Sequence, residues 1–404
     1  MSLPFTEEEY RARLDRVRAG MAQLGVDALL IHSPENTFYL SGLRSLGYSV
    51  YQTLLVLPTD PLVFVTREWE ALTSVPGTSL IKETRAYGDA HDPITVLVDL
   101  VHEKKLEKAR IGIDLSSRNL TASQFSEISR LCDGVTFIDA SGLVEAVRQI
   151  KSEAEIALMR ESGRAGEAAM AAWRQALQPG RSEFEIAADV YKALIAAGSE
   201  YPGYPPFIST GMRTAWAHAT WDRRTLEEDD VAFAELSAAV MRYHAPLTST
   251  VALGRTYDRE VSRTEKAVRA ALDAGLVAMR AGVECGYVDD LIWSTIEKQG
   301  FDRSERNSGY AVGIAFPPTW SEARTVPARA SEAARRAGIV RERFFLSRGN
   351  TSLLEEGMTF HVLPTILARN RFIWGESATV VVRRTGVELL AGPFRQDRGQ
   401  PAPS

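Results

Sequence analysis

The sequence predicts an α+β protein of two domains, a smaller N-terminal α/β domain and a larger one built on a curved antiparallel sheet. Three observations carry this. A chain of 404 residues exceeds what one hydrophobic core usually organises. Helix and strand patterns alternate over roughly the first 145 residues, as in an α/β unit. Beyond them, helix pairs interleave with paired strands, which favours an antiparallel sheet. The domains are therefore placed at 1–148 and 149–395, with 396–404 as a flexible tail.

In chain order, Thr6 and Glu9 form a capping-box pattern that opens a helix over 6–24, stopped by Gly25. "VDALLIH" suits a buried strand, "TLLVLPTDPLVFV" reads as two strands around a Pro-Thr-Asp-Pro turn, and "ARIGIDL" and "GVTFIDA" add two more. Ser152 and Glu155 open a long amphipathic helix to Leu177, and "PGRSEFEIAADVYKALIAAG" gives another that stops at Gly198. Strands follow at 205–210, 231–239 and 243–253, helices at 257–281 and 287–299, and strands at 309–316, 358–366 and 377–383. A duplicated helix-helix-strand-strand order is conceivable, although no repeat is evident in the residues themselves. Residues 323–348 carry seven arginines against two glutamates, with a short helix at "SEAARRAG", Ser331 to Gly338. This is read as a solvated insertion, with a lid over a pocket as the sharper alternative.

An apolar content of 45% with 25% charged residues is that of a soluble globular protein. The net charge of −5 gives no electrostatic reason to expect nucleic acid or an anionic membrane as partner. Two cysteines, Cys132 and Cys285, without ligand spacing are too few for a disulfide framework. The charged N-terminus and the lack of a long apolar run place the expected protein in the cytoplasm.

Polar residues interrupt apolar runs in four stretches: "TAWAHATWDRR", "FAELSAAVMRYHAPL", "SGYAVGIAFPPTWSE" and "GMTFHVLP". Buried polar groups need partners, and several such stretches point to a shared pocket. Strand alternation pairs Glu235 with Ser237, His244 with Pro246 and His361 with Leu363. His218, His244 and His361 are three of the six histidines, and for each alone a hydrogen-bonded core role is the plainer reading.

In these stretches the sequence resembles the pita-bread proteins, which include methionine aminopeptidase, aminopeptidase P, prolidase and creatinase. "GMTFHVLP", "SGYAVGI" and "AFAELSAAVMRYHAPLTST" are similar to motifs that supply five metal ligands in the peptidases. The resemblance implies a C-terminal pita-bread domain behind a creatinase-like N-terminal domain. Carried across, the ligand positions fall at Glu235, Pro246, Tyr310, Leu363 and Ser377, with Glu376 one residue from the last. Proline and leucine side chains have no donor, so the expectation is a site without metal or other cofactor. Details such as "MTFH" and "RYHAPL" look most like the ectoine-hydrolase branch, with creatinase close behind.

That resemblance implies metal-independent hydrolysis of a C–N bond in a small zwitterionic or cationic carboxylic acid bearing an amidine or guanidine. Glu235 would act as base or nucleophile, with His218 moving a proton to the leaving nitrogen. Tyr310, His361 and His244 would orient substrate, together with Ser377 and Glu376. Trp320 would offer a face to the planar cation, and Glu322 would pair with that cation or with an arginine of the insertion. Candidate partners for the substrate carboxylate are Arg213, Arg242, Arg324 and the other arginines of the insertion, which the sequence does not distinguish. A homodimer is expected, the N-terminal domain of one chain contributing to the other's site through "LGYSVYQ", with Tyr48 and Tyr51. Two other readings stand beside it: a pita-bread binding or sensor protein that has lost catalysis, and a metal-dependent Xaa-Pro peptidase-like enzyme with unusual ligands.

Overall fold

The computed structural model describes residues 3–59, 61–254, 258–324, 335, 338, 341–369 and 371–394. Most of the arginine-rich insertion, with its expected helix, and the 396–404 tail lie outside these residues. The chain divides into two compact units, one running to Arg148 and one comprising Gln149–Ala323 and resuming at Glu342.

The first unit is a six-stranded sheet with helices. Its elements are α1 (Glu7–Leu24), β1 (Ala28–Ile31), α2 (Pro34–Ser41), β2 (Thr53–Val56), β3 (Val63–Arg67), α3 (Glu68–Leu72), α4 (Ser74–Thr78), β4 (Glu83–Tyr87), α5 (Pro93–Glu103), β5 (Arg110–Ile113), α6 (Ala122–Leu131), β6 (Thr136–Asp139) and α7 (Leu143–Arg148). Strand order is β4-β3-β2-β1-β5-β6, antiparallel at the central β1–β2 and β2–β3 pairs and parallel toward both edges. Thr6 caps α1 through the Glu9 amide, and Gly25 ends it in the left-handed region, where a side chain would be strained.

The second unit repeats one order twice: a helix pair, then antiparallel strands. The first set is α8 (Glu153–Ala176), α9 (Glu183–Ala196), β7 (Phe207–Thr210), β8 (Val231–Leu236), the hairpin β9 (Ala239–Val240) and β10 (Tyr243–His244), and β11 (Leu247–Ala252). The second is α10 (Arg259–Ala278), α11 (Cys285–Glu297), β12 (Gly309–Ala311), β13 (Phe345–Leu346), β14 (Thr359–Val362), the hairpin β15 (Thr365–Ala368) and β16 (Phe372–Gly375), β17 (Ala378–Val382) and β18 (Val387–Ala391). The main sheets are β11-β8-β7 and β13-β12-β14-β17-β18.

A polar seam joins the two sheets. Ser377 N–H reaches Thr248 O at 3.3 Å, Gly375 N–H reaches Thr250 Oγ1 at 2.9 Å, and Thr379 Oγ1–H reaches Pro246 O at 2.5 Å. Side chains thereby satisfy backbone groups where the ladder changes sheet. On the other side, Ala232, Ala234 and Leu236 of β8 pack with Trp173 of α8 and Val190 of α9.

The strands expected at 243–253 and 358–366 are each broken in two, and two others stop early. The run at 231–239 stops at Leu236 and resumes in the β9–β10 hairpin, whose two turn residues, Met241 and Arg242, have φ of 46° and 66°. Such tight turns usually carry glycine or asparagine. Here the Arg242 guanidinium holds the turn by donating to Ala315 O at 2.7 Å and Tyr201 O at 2.6 Å. The run at 309–316 stops at Ala311, beyond which Val312 forms an isolated bridge to Ser321. Among the described residues no helix is long and apolar enough to cross a membrane.

Candidate active site

Alternation along β8 puts Val231, Phe233 and Glu235 on the face opposite the helices, half-buried, while the alternate residues are fully covered. In register, Phe207 of β7 and Thr248 of β11 flank Glu235. Ser237 is not its same-face companion: the strand has ended, and the Ser237 hydroxyl donates to Ala238 O at 2.7 Å.

The second sheet brings its own row. Tyr310, His361 and Thr379 are successive cross-strand partners on β12, β14 and β17, and such partners project to one face. The Tyr310 hydroxyl lies 3.4 Å from Glu235 Oε1, 2.9 Å from His361 Nδ1 and 3.0 Å from the Trp320 indole nitrogen. His361 Nε2 meets Ser377 Oγ at 2.7 Å, and Ser377 Oγ accepts the Thr248 N–H at 2.7 Å. Glu235, Tyr310, Trp320, His361 and Ser377 are thus one network. Burial drives the His361 pKa down to about 3, so its imidazole is neutral at ordinary pH.

Aromatic rings border the carboxylate. Phe207, Ala315 and Trp320 form a small apolar cluster, against which Tyr204, Phe233 and Tyr310 pack with part of their surface open. Trp320 stands edge-on to Tyr204 with ring centres 5.0 Å apart. His218, exposed and at φ 59°, lays its ring 5.3 Å from that of Phe207, the cross-strand neighbour of Glu235. Sequence reading missed Tyr204, Phe207 and Phe233. The signal for Phe233 was its place two residues before Glu235 on an alternating strand.

Several expected contacts are corrected. His244 accepts the Gly203 N–H at Nε2 and donates from Nδ1 to Arg242 O, both at 2.9 Å. With both nitrogens engaged by backbone and burial holding its pKa well below the usual value, it is a core residue. Glu322 pairs with Lys151 at 2.5 Å, both fully buried, so its carboxylate is engaged by a lysine the sequence reading did not name. Glu376 pairs with Arg269 of α10 at 2.7 Å. Trp320 is 1% exposed, so it serves the site through its N–H, and the open aromatic surface belongs to Tyr204, Phe233 and Tyr310. Arg213 binds Glu183 and Thr220 O, and Arg242 holds its hairpin, so neither is placed for a substrate carboxylate. The Arg324 side chain lies outside the described residues. In the first unit Tyr51 is buried, with its hydroxyl 3.3 Å from His32 Nε2, while Tyr48 is half-buried.

The positions of the peptidase metal ligands can be tested for fit. They hold one carboxylate, one phenol and one hydroxyl, with Pro246 and Leu363 contributing no side-chain donor. Among the described residues no group of three or more His, Cys, Asp or Glu side chains converges. Divalent ions require several such donors around one point, so the residues present do not fit a dinuclear centre.

Residues 157–385 match the metallopeptidase family M24, and residues 13–150 match the creatinase/prolidase N-terminal domain. The chain is 28% identical over 415 residues to ectoine hydrolase of Halomonas elongata, covering 98% of each chain. It is 30% identical over 410 residues to the uncharacterized hydrolase/peptidase y4tM of Sinorhizobium fredii, again covering 98% of each. Prolidase from Thermococcus sibiricus superposes with a TM-score of 0.82 at 19% identity, over 96% of this chain and 98% of that one. X-Pro aminopeptidase from Thermotoga maritima gives 0.77 at 22%, over 94% and 97%. These structural likenesses establish the pita-bread architecture of the second unit. With that architecture and a family match over more than half its length, the chain belongs to metallopeptidase family M24.

Proposed function

We propose that this M24 protein is a metal-independent hydrolase of a C–N bond in a small carboxylic acid bearing an amidine or guanidine, most like ectoine hydrolase. The observation that carries the reading is Glu235, a half-buried carboxylate beside a phenol and open aromatic rings, at the position that the motif resemblance carries over from a peptidase metal ligand. A planar organic cation suits that surface. Its N–H groups donate to a carboxylate in charge-assisted bonds, and aromatic faces attract it. The full-length similarity to ectoine hydrolase supports the same substrate class.

In the proposed reaction a water oxygen bonds to the amidine carbon as its proton passes to Glu235. The C–N bond then breaks as the leaving nitrogen takes a proton from His218. If Glu235 attacks instead, its oxygen bonds to that carbon as the C–N bond breaks and the leaving nitrogen takes the His218 proton. Water then attacks the Glu235 carboxyl carbon of the resulting acyl imidate to release product. Single-turnover hydrolysis in oxygen-18 water separates the two, because only the second labels the Glu235 carboxylate. We further propose that the enzyme works in the cytoplasm as a homodimer, the small unit of each chain serving its partner's site. Two free, buried cysteines fit a reducing compartment, and sedimentation tests the dimer.

The deciding experiment is a screen of ectoine, hydroxyectoine, creatine and related cyclic amidine or guanidino acids by mass shift and amine release. Turnover of one of them is expected, with Glu235→Gln lowering kcat by roughly 10²–10⁴-fold, the usual scale for a general base. Binding without turnover would replace this reading with a binding protein, and cleavage of Xaa-Pro dipeptides alone would return the chain to the peptidases.

A further inference from the structure

Resting on the hydrolase reading, we infer that Ser377 and His361 are positioning residues which, through Tyr310, fix the hydrogen bond that holds the Glu235 carboxylate. A phenol has one hydrogen and two lone pairs. Around the Tyr310 oxygen stand the Trp320 nitrogen at 3.0 Å, His361 Nδ1 at 2.9 Å and Glu235 Oε1 at 3.4 Å. An indole N–H can only donate, so it occupies one lone pair. An ionised carboxylate can only accept, so the phenolic hydrogen goes to Glu235. The second lone pair then has to receive a hydrogen from His361 Nδ1.

A neutral imidazole that donates from Nδ1 accepts at Nε2, and Ser377 Oγ stands there at 2.7 Å. That oxygen accepts the Thr248 N–H, and among the described residues His361 Nε2 is the one acceptor within hydrogen-bond reach of it, so the serine hydrogen goes to His361. The backbone of β11 thus sets the serine, the serine sets the tautomer, and the tautomer sends the phenolic hydrogen to Glu235. In the opposite tautomer His361 would take that hydrogen, and Glu235 would face an oxygen lone pair. Burial, which keeps the imidazole neutral, leaves only these two arrangements in competition. Glu235, Tyr310 and Ser377 all stand at positions carried over from the peptidase ligands, so this chain of hydrogen bonds orders the carboxylate where those proteins use metal.

The titratable groups facing Glu235 from neighbouring strands include Tyr310 and, behind it, His361. On surrounding elements, Arg269 and Glu376 pair with each other, Lys151 pairs with Glu322, and Arg242 is bound to backbone carbonyls. His218 lies across Phe207.

The test is nitrogen-15 NMR of histidine-labelled protein near pH 7, combined with kinetics of Ser377→Ala and Ser377→Thr. Wild type is expected to carry the His361 hydrogen on Nδ1. Ser377→Ala should populate the Nε2–H tautomer. It should also lower kcat about 10-fold or more with KM within about twofold, a scale known for outer-shell partners. The acidic limb of the rate profile should move to higher pH, because a carboxylate losing a donor is more easily protonated. Ser377→Thr keeps the hydroxyl and should restore both readouts. A wild-type hydrogen on Nε2 would overturn the proposal, even if Ser377→Ala failed to fold. So would an alanine variant with unchanged tautomer and acidic limb. The NMR readout needs no substrate, so it stands or falls apart from the hydrolase reading.

Discussion

His361 and His244 are fully buried, and each engages both ring nitrogens within the protein. An unfolded chain protonates such rings near pH 6.5, whereas desolvation holds the folded pKa of His361 at about 3 and that of His244 well below its usual value. Between those limits the unfolded state binds more protons, so stability is full above about pH 6.5 and is lost as pH falls toward 3. Each ring contributes a slope of up to about 1.4 kcal/mol per pH unit in that window. Urea unfolding of wild type and His361→Gln from pH 7 to 4 checks this. The variant is expected to be less stable at pH 7 but to lose less on acidification, and parallel curves would contradict the assignment. That the three histidines share polar stretches was legible in the sequence. Which of them faces the site was not, because His244 and His361 differ only in whether backbone or side chains meet the ring.

Lys151 lies just before α8 and Glu322 beyond β12, and their buried pair ties these elements together inside the second unit. The Ile314 N–H donates to Glu322 Oε1 at 3.3 Å. A side chain at Gly313 would stand 2.6 Å from that carboxylate and 2.8 Å from Lys151 Cε, so glycine there makes room for the pair. Removing one partner leaves an uncompensated buried charge, which costs about 3–5 kcal/mol. Lys151→Met is therefore expected to lower the unfolding midpoint sharply, while Lys151→Met with Glu322→Leu recovers much of the loss. Calorimetry with the single variant melting like wild type would refute the argument. At this scale the local signals were strong where chemistry is local. Ser152 and Glu155 form the expected reciprocal cap, and the helix pairs fall close to their expected bounds. The β9–β10 hairpin escaped notice because its turn, Met241–Arg242, carries no turn-forming residue and is held by carbonyls up to 73 positions away. The Lys151–Glu322 pair, 171 positions apart, left no periodic trace for the same reason.

Across the whole molecule, the repeated order of helix pair and antiparallel strands gives the second unit two sheets that meet along the Thr248–Ser377 seam. The five positions carried over from the peptidases divide between them, Glu235 and Pro246 beside the first sheet and Tyr310, Leu363 and Ser377 beside the second. Two sheets contributing oxygen donors to one point make a metal cage, but one carboxylate among five positions cannot neutralise and surround two divalent ions. A ligand that binds only the folded state stabilises it by about 2.7 kcal/mol at a hundred times its dissociation constant. A protein dependent on bound metal should therefore melt earlier after chelation and later when metal is restored. For this chain, exhaustive EDTA treatment is expected to leave the melting temperature and substrate turnover unchanged, and added manganese, cobalt or zinc to raise neither. Differential scanning calorimetry and activity on matched chelated and metal-supplemented samples make the comparison. A reversible fall in both on chelation would overturn the metal-independent reading and show that other groups complete a metal site.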